Sequence, residues 1–164
     1  MQLILMRHAE AEDGERYADD SLRPLTARGR KVQTHMAQAL RRMEYVPDRI
    51  IASPRLRAVQ TAEICADVWN LKHALTQHDA LGANYSADAA LAMLCEHDAD
   101  ATLLCVGHDP DLRQFAGALL GMTNFSNVKF PKSAALGLEF RAQPQLSAGV
   151  LRFFYRPRDL LALL

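Results

Sequence analysis

Neither sign of charge is in excess in this 164-residue chain: lysine plus arginine and aspartate plus glutamate each number 19. Without a net field there is no general attraction to nucleic acid or to an anionic membrane, so any anion site must be built locally. Long apolar runs are missing too. MQLILM is too short and wrongly flanked for a secretory core, and nothing approaches a membrane span. The expectation is a cytoplasmic protein with no nucleic-acid or membrane partner. Cysteine is sparse: Cys65, Cys95 and Cys105 are an odd number, far apart, each in an apolar stretch. That excludes a disulfide framework and predicts buried free thiols in a reducing compartment. No CxxC or HxxxH spacing occurs, so no metal site is expected. Repeats, low-complexity tracts and linkers are also absent, and 49% of residues are apolar. Residues 1–164 are expected to form one domain with a sizeable core.

What is present is an alternation of apolar runs and helical patterns. QLILM (2–6) is a continuous apolar run, as in a strand covered on both faces. Thr26 caps a helix predicted to run to about Glu44, with Val32, Met36, Ala39, Leu40 and Met43 on one face. RIIAS (49–53) is a second strand, and the helix after Pro54 carries Leu56, Val59, Ala62, Ala66 and Trp69. KHAL (72–75) is predicted as a weak strand, and Ser86 as the cap of a helix with Leu91 and Leu94. TLLCV (102–106) is the next buried strand, and Asp109-Pro110 opens a helix. Residues 122–133 read as a loop, and 134–140 with 149–156 as a closing strand pair. The predicted fold is a three-layer α/β/α sandwich with a mostly parallel central sheet.

In open parallel sheets ligands bind beyond the carboxyl ends of the strands. Three strands end there in polar groups: Arg7-His8, Ser53-Pro54-Arg55-Leu56-Arg57 and Gly107-His108-Asp109. The predicted topology brings two histidines and up to three arginines to one edge. Converging guanidinium groups hold tetrahedral oxyanions, phosphate above all. A neutral imidazole with one ring nitrogen tied to a carbonyl presents the other as a nucleophile.

MRHAEAE, RPLTARG, SPRLRAVQT and VGHDPDL, in that order, resemble the histidine phosphatase superfamily, the relatives of cofactor-dependent phosphoglycerate mutase, and more narrowly its SixA-type phosphohistidine phosphatase branch. The resemblance runs from residue 1 to about 115 and more loosely through FPKSAALGLEF. It implies that His8 is the phosphorylated nucleophile, that Arg7 and Arg57 clamp the phosphoryl group, and that His108 stabilises the transferring group. It implies no cofactor and no metal. The expected substrate is a histidine-phosphorylated protein, such as a phosphotransfer domain, and the expected state is a monomer. The alternatives are a broad small-molecule phosphomonoesterase and a non-catalytic phosphate-binding module. One departure is plain: the superfamily's usual RHG reads RHA, with Ala9 in the glycine position.

The proton donor is the open position. Many relatives supply an acid from the loop after the third strand, where this chain has Leu81-Gly82-Ala83. Candidate donors are Asp79 and Asp109, with helix capping the alternative role for Asp109. Ser53, Arg23 and Lys132 are weaker phosphate-binding candidates, Arg28 extends the cationic rim, and Arg55 is expected to face solvent. An alkoxide leaving group needs an acid, whereas imidazole departs once its ring is protonated. The missing donor and the short 76–86 segment, which can form no lid, both favour phosphohistidine.

Overall fold

Alternate residues of the first apolar run face opposite ways. Leu3 and Leu5 enter one buried cluster and Ile4 and Met6 another, so both sides of the strand are covered. The computed structural model describes residues 1–83 and 85–161. Its strands are β1 (Gln2–Arg7), β2 (Arg49–Ala52), β3 (Leu75–Gln77), β4 (Thr102–Gly107), β5 (Ala135–Glu139) and β6 (Val150–Tyr155). Its helices are α1 (Ala27–Arg42), α2 (Leu56–Trp69), α3 (Ala87–Cys95), α4 (Asp111–Leu119) and α5 (Pro157–Leu161). The strands form one sheet in the order β3-β2-β4-β1-β5-β6. The first four are mutually parallel, β5 runs antiparallel to β1, and β6 runs antiparallel to β5.

Helices cover both faces, giving the expected three layers. Ala37 and Leu40 of α1 and Ala58, Ala62, Cys65 and Ala66 of α2 pack against Ile4, Met6, Ile50, Leu104 and Val106. On the opposite face Met93 and Leu94 of α3 and Leu112, Phe115 and Leu119 of α4 pack against Leu3, Leu5, Leu103 and Leu136. Leu160 of α5 docks on Met36 and Ala39 of α1; the rest of the terminal DLLALL, from residue 162, lies outside the described residues. After β1 the chain leaves toward the α1 face, and after the neighbouring β4 it leaves toward the α4 face. Two adjacent parallel strands whose connections diverge in this way open a crevice between their carboxyl ends.

Two expectations need correction. The weak strand is not KHAL: Lys72–Ala74 form a 3-10 turn, and β3 begins at Leu75, opposite Ile50 of β2. The left-handed Asn70 (φ 59) ends α2, and Ala74 N–H then bonds Leu71 C=O at 2.9 Å, which uses those residues in the turn. Cys65 and Cys105 are buried free thiols as expected, but Cys95 is exposed at the end of α3. Its apolar neighbours Met93 and Leu94 take the inward positions of that short helix. Among the described residues, no helix is long and apolar enough to cross a membrane.

Candidate active site

Strand register brings the first and third polar motifs together. Arg7 lies opposite Gly107, and Ala52 opposite Val106. His8, Ser53 and His108 are the next residues on those three strands. The ladder carries on one further step, with His8 N–H to Gly107 C=O at 3.0 Å and Ser53 N–H to Val106 C=O at 2.9 Å. The His8 and His108 rings end 5.1 Å apart, centroid to centroid. They are only 6% and 5% exposed, which determines their electrostatics.

His8 is fixed by its own turn. Its Nδ1–H donates to the Ala9 carbonyl at 2.7 Å, leaving Nε2 with no protein partner among the described residues. Ala9 N–H donates to Thr61 Oγ1 at 3.0 Å, and the Thr61 hydroxyl donates to Arg57 C=O at 2.7 Å. A single hydroxyl thus ties the His8 turn to the first turn of α2. Ala9 is fully buried and outside the left-handed region, so a Cβ is accommodated there. The strict position is Gly29, where a Cβ would lie 2.2 Å from Glu10 C=O. Gln60 Oε1 accepts from Leu25 N–H at 2.8 Å. These contacts are the physical content of the RPLTARG and RAVQT motifs: they hold the segment after His8 against α1 and α2.

Burial pushes the His8 imidazole down to about 3. The carbonyl of Ala9 opposes the shift, while Arg57, Arg7 and Lys132 add to it. Burial pushes His108 to about 2, with His8, Arg57, Arg55 and Arg7 contributing in the same direction. Both rings are therefore neutral at pH 7. His108 Nε2 is 2.7 Å from Ser53 Oγ. Ser53 is fully buried and bonded to this histidine, which places it beside the site as a partner of the ring.

The two arginines are anchored differently. Arg7 Nη1 donates to Phe130 C=O at 2.7 Å. Arg57 gives Nη1 to the Asp20 carbonyl at 2.7 Å and Nη2 to Asp20 Oδ2 at 2.9 Å. Burial lowers both guanidinium pKa values against the opposing carboxylates Asp109 and Asp20. Among the described residues, five buried side-chain nitrogens have no partner: Trp69 Nε1, Arg23 Nε beside Asp20, and, on the residues around His8, Arg7 Nε, Arg57 Nε and His108 Nδ1. Buried donors are almost always satisfied, so three orphans on side chains that share one electrostatic neighbourhood mark a place for an acceptor-rich ligand.

The weaker candidates divide. Lys132 is exposed, yet its charge reaches His8. The next residue, Ser133, takes a left-handed conformation (φ 62) that aims its N–H at the Arg7 and His8 carbonyls at 3.1 and 3.3 Å. Arg23 turns to Asp20 at 3.2 Å and Glu12 C=O at 3.4 Å, and Arg28 is exposed. Asp109 does not cap the helix: the cap position is Pro110, with no side-chain bond. The Asp109 carboxylate instead meets Arg113 Nε at 3.0 Å and Arg7 Nη1 at 3.9 Å. Asp79 is exposed in the 3-10 turn Asp79–Leu81 and forms no ion pair among the described residues. Arg55 is half-buried rather than turned to solvent, and its charge reaches His108, Asp20 and Asp111. Asp20, Thr61 and the Phe130 carbonyl were not anticipated. Thr61 stands inside RAVQT and was findable there; Asp20 is one of several acids between Glu10 and Asp20, with nothing in the sequence to single it out. Among the described residues, no three His, Cys, Asp or Glu side chains are arranged to hold a metal ion.

Residues 3–82 match the model of the histidine phosphatase superfamily (branch 1). An uncharacterized protein of Picosynechococcus sp. is 36% identical over 140 residues, 84% of each chain. The phosphohistidine phosphatase SixA of Escherichia coli (strain K12) is 41% identical over 71 residues, 43% of each chain. The structure of the protein histidine phosphatase SixA complexed with tungstate superposes with a TM-score of 0.84 at 27% identity, covering 98% of this chain and 99% of that one. The chain belongs to the histidine phosphatase superfamily, a phosphatase family. Within it, the fold and motifs are of the SixA type.

Proposed function

We propose that this protein removes phosphate from phosphohistidine carried on a protein, through a covalent intermediate on His8 and without a metal or other cofactor. The observation that carries the reading is the set of three unpartnered buried nitrogens, Arg7 Nε, Arg57 Nε and His108 Nδ1, around a neutral His8 whose Nδ1 is already committed. Ser53 Oγ accepts from Arg55 N–H at 3.4 Å; with the Ser53 proton given to His108 Nε2, the His108 proton resides on Nδ1. Each of the three atoms is a donor in that assignment, and a phosphoryl group supplies the three acceptors.

In the first step His8 Nε2 attacks phosphorus. The Nε2–P bond forms, the P–N bond to the substrate imidazole breaks, and that imidazole leaves neutral because its distal nitrogen already carries a proton from solvent. The His8 ring becomes a phosphoimidazolium whose Nδ1–H still donates to Ala9 C=O. In the second step water attacks phosphorus and the Nε2–P bond breaks. Dihydrogen phosphate departs with both water protons, and neutral His8 returns. The Ala9 carbonyl acts in both steps by keeping the proton on Nδ1, so that His8 remains a good leaving group. Neither step requires an acid at the scissile bond. The loop residues Leu81, Gly82 and Ala83 supply none, and the Asp109 carboxylate is engaged by Arg113 and Arg7.

The test is a substrate panel with the purified protein. Phosphohistidine peptide is expected to turn over much faster than phosphoserine or alkyl phosphates, and the reverse order would overturn the assignment. One observation favours the ester reading. Burial shifts the half-buried Asp111 carboxyl, in the first turn of α4, upward toward its protonated form, with Arg55 opposing and Asp109 reinforcing the shift. Ester hydrolysis abolished in Asp111→Asn would favour that second reading.

A further inference from the structure

We infer that Asp20 is the positioning residue for the Arg57 clamp; the inference rests on the proposed reading only in taking Arg57 as an anion ligand. Arg57 is almost wholly enclosed, its side chain 4% exposed, whereas Asp20 is 55% exposed on the outer 3-10 turn Asp20–Leu22. Both terminal nitrogens of the guanidinium are taken by this one residue, Nη1 by its carbonyl and Nη2 by its carboxylate. Such a two-point grip fixes the plane of the guanidinium, whose enclosed Nε is left without a partner. Arg23, at 3.2 Å from Asp20 Oδ1, holds the carboxylate from its other side.

The turn has no apolar anchor of its own. Neither it nor the preceding 3-10 turn, Gly14–Arg16, buries a residue, and their internal side-chain bonds are local, Asp13 to Glu15 and Asp19 to Ser21. Asp20 and Arg57 therefore position one another: the arginine tethers the strap, and the strap aims the arginine. Because the fold buries nothing in this segment, loss of Asp20 should release the aim of Arg57 without unfolding the protein.

The experiment measures tungstate binding by calorimetry and thermal unfolding for wild type, Asp20→Ala, Asp20→Asn, Arg57→Ala and the Asp20→Ala/Arg57→Ala double variant. Asp20→Ala is expected to weaken tungstate by about tenfold or more, the scale of one charged hydrogen bond. Its melting temperature should stay at the wild-type value. Asp20→Asn, which keeps an acceptor oxygen, should recover part of the loss, and the double variant should bind as Arg57→Ala does if Asp20 reaches the anion through that arginine and not through Arg23. Unchanged binding in Asp20→Ala, or a further loss in the double variant, would overturn the inference. Tighter binding would also overturn it, by showing that Asp20 competes with the anion. Tungstate binding requires no turnover, so a failure of the phosphohistidine assignment in the substrate panel leaves this result readable on its own.

Discussion

The floor of the crevice and its rim are built on different physical terms. At the floor, His8, His108, Ser53 and Thr61 are all buried, each is one step from a strand end or in the first turns of α2, and backbone groups hold them. At the rim, Asp20 is largely exposed, Arg55 and Asp109 are half-buried and Lys132 is exposed; Asp20 and Asp109 are held by ion pairs, and Arg55 and Lys132 act at a distance through charge. The two arginines span the division. Arg7 is anchored by the Phe130 carbonyl alone, which no side-chain substitution removes, whereas Arg57 shares its grip between the Asp20 carbonyl and the Asp20 carboxylate, and one substitution removes the second. A floor made from register tolerates little change, whereas a rim made from exposed ion pairs can vary while the chemistry stays.

If that division is right, substitutions should rank by depth. His8→Ala at the floor is expected to lower turnover by on the order of 10⁴-fold or more, measured as phosphate release from a phosphohistidine peptide. Removal of Arg7 or Arg57 as Ala should cost about 10²–10³-fold, the usual scale for one donor to a developing oxyanion. Thr61→Val keeps the shape but leaves the buried Ala9 N–H unpaired. It should destabilise the fold by about 1–3 kcal/mol in urea unfolding, with Thr61→Ser close to wild type.

Acid should expose the floor specifically. Burial holds the folded-state pKa values of His8 and His108 near 3 and 2, below the ordinary value of 6.5 that applies to the unfolded chain. Between about pH 6.5 and 3 the unfolded state alone binds these protons. Stability is complete above that window and falls through it by about 1.4 kcal/mol per pH unit for each ring. Urea midpoints at about pH 7 and about pH 5 check this, and His8→Ala should shed roughly half of the histidine contribution. At the small end of the scale, Asp111→Asn should leave phosphohistidine hydrolysis unchanged.

The same division explains what the sequence disclosed. The floor is legible because strand periodicity and parallel pairing force the residues after β1, β2 and β4 onto one edge, so the sequence alone places MRH, ASP and VGH together. Most of the sheet followed from the same patterns. Misplacing β3 as KHAL came from a short, half-exposed edge strand, where an apolar run carries little information and the 3-10 turn after Asn70 decides the start. The rim was illegible for another reason. Asp20 reaches Arg57 across 37 positions, and its neighbours Asp13, Glu15 and Asp19 are chemically equivalent in the sequence. Arg55 was misread because its backbone register suggested an outward side chain, whereas its charge reaches His108 and Asp111. Long flexible side chains at a rim are aimed by their partners, not by the strand or helix that bears them.

The central claim is that His8 Nε2 accepts the phosphoryl group. Its most direct test is rapid-quench labelling with a ³²P-phosphohistidine protein, followed by peptide mapping and ³¹P NMR of the trapped enzyme. The account predicts a transient acid-labile, alkali-stable label on Nε2 of His8 that is lost in His8→Ala. Turnover at full rate with no label on the enzyme, or a label on any other residue, would contradict it.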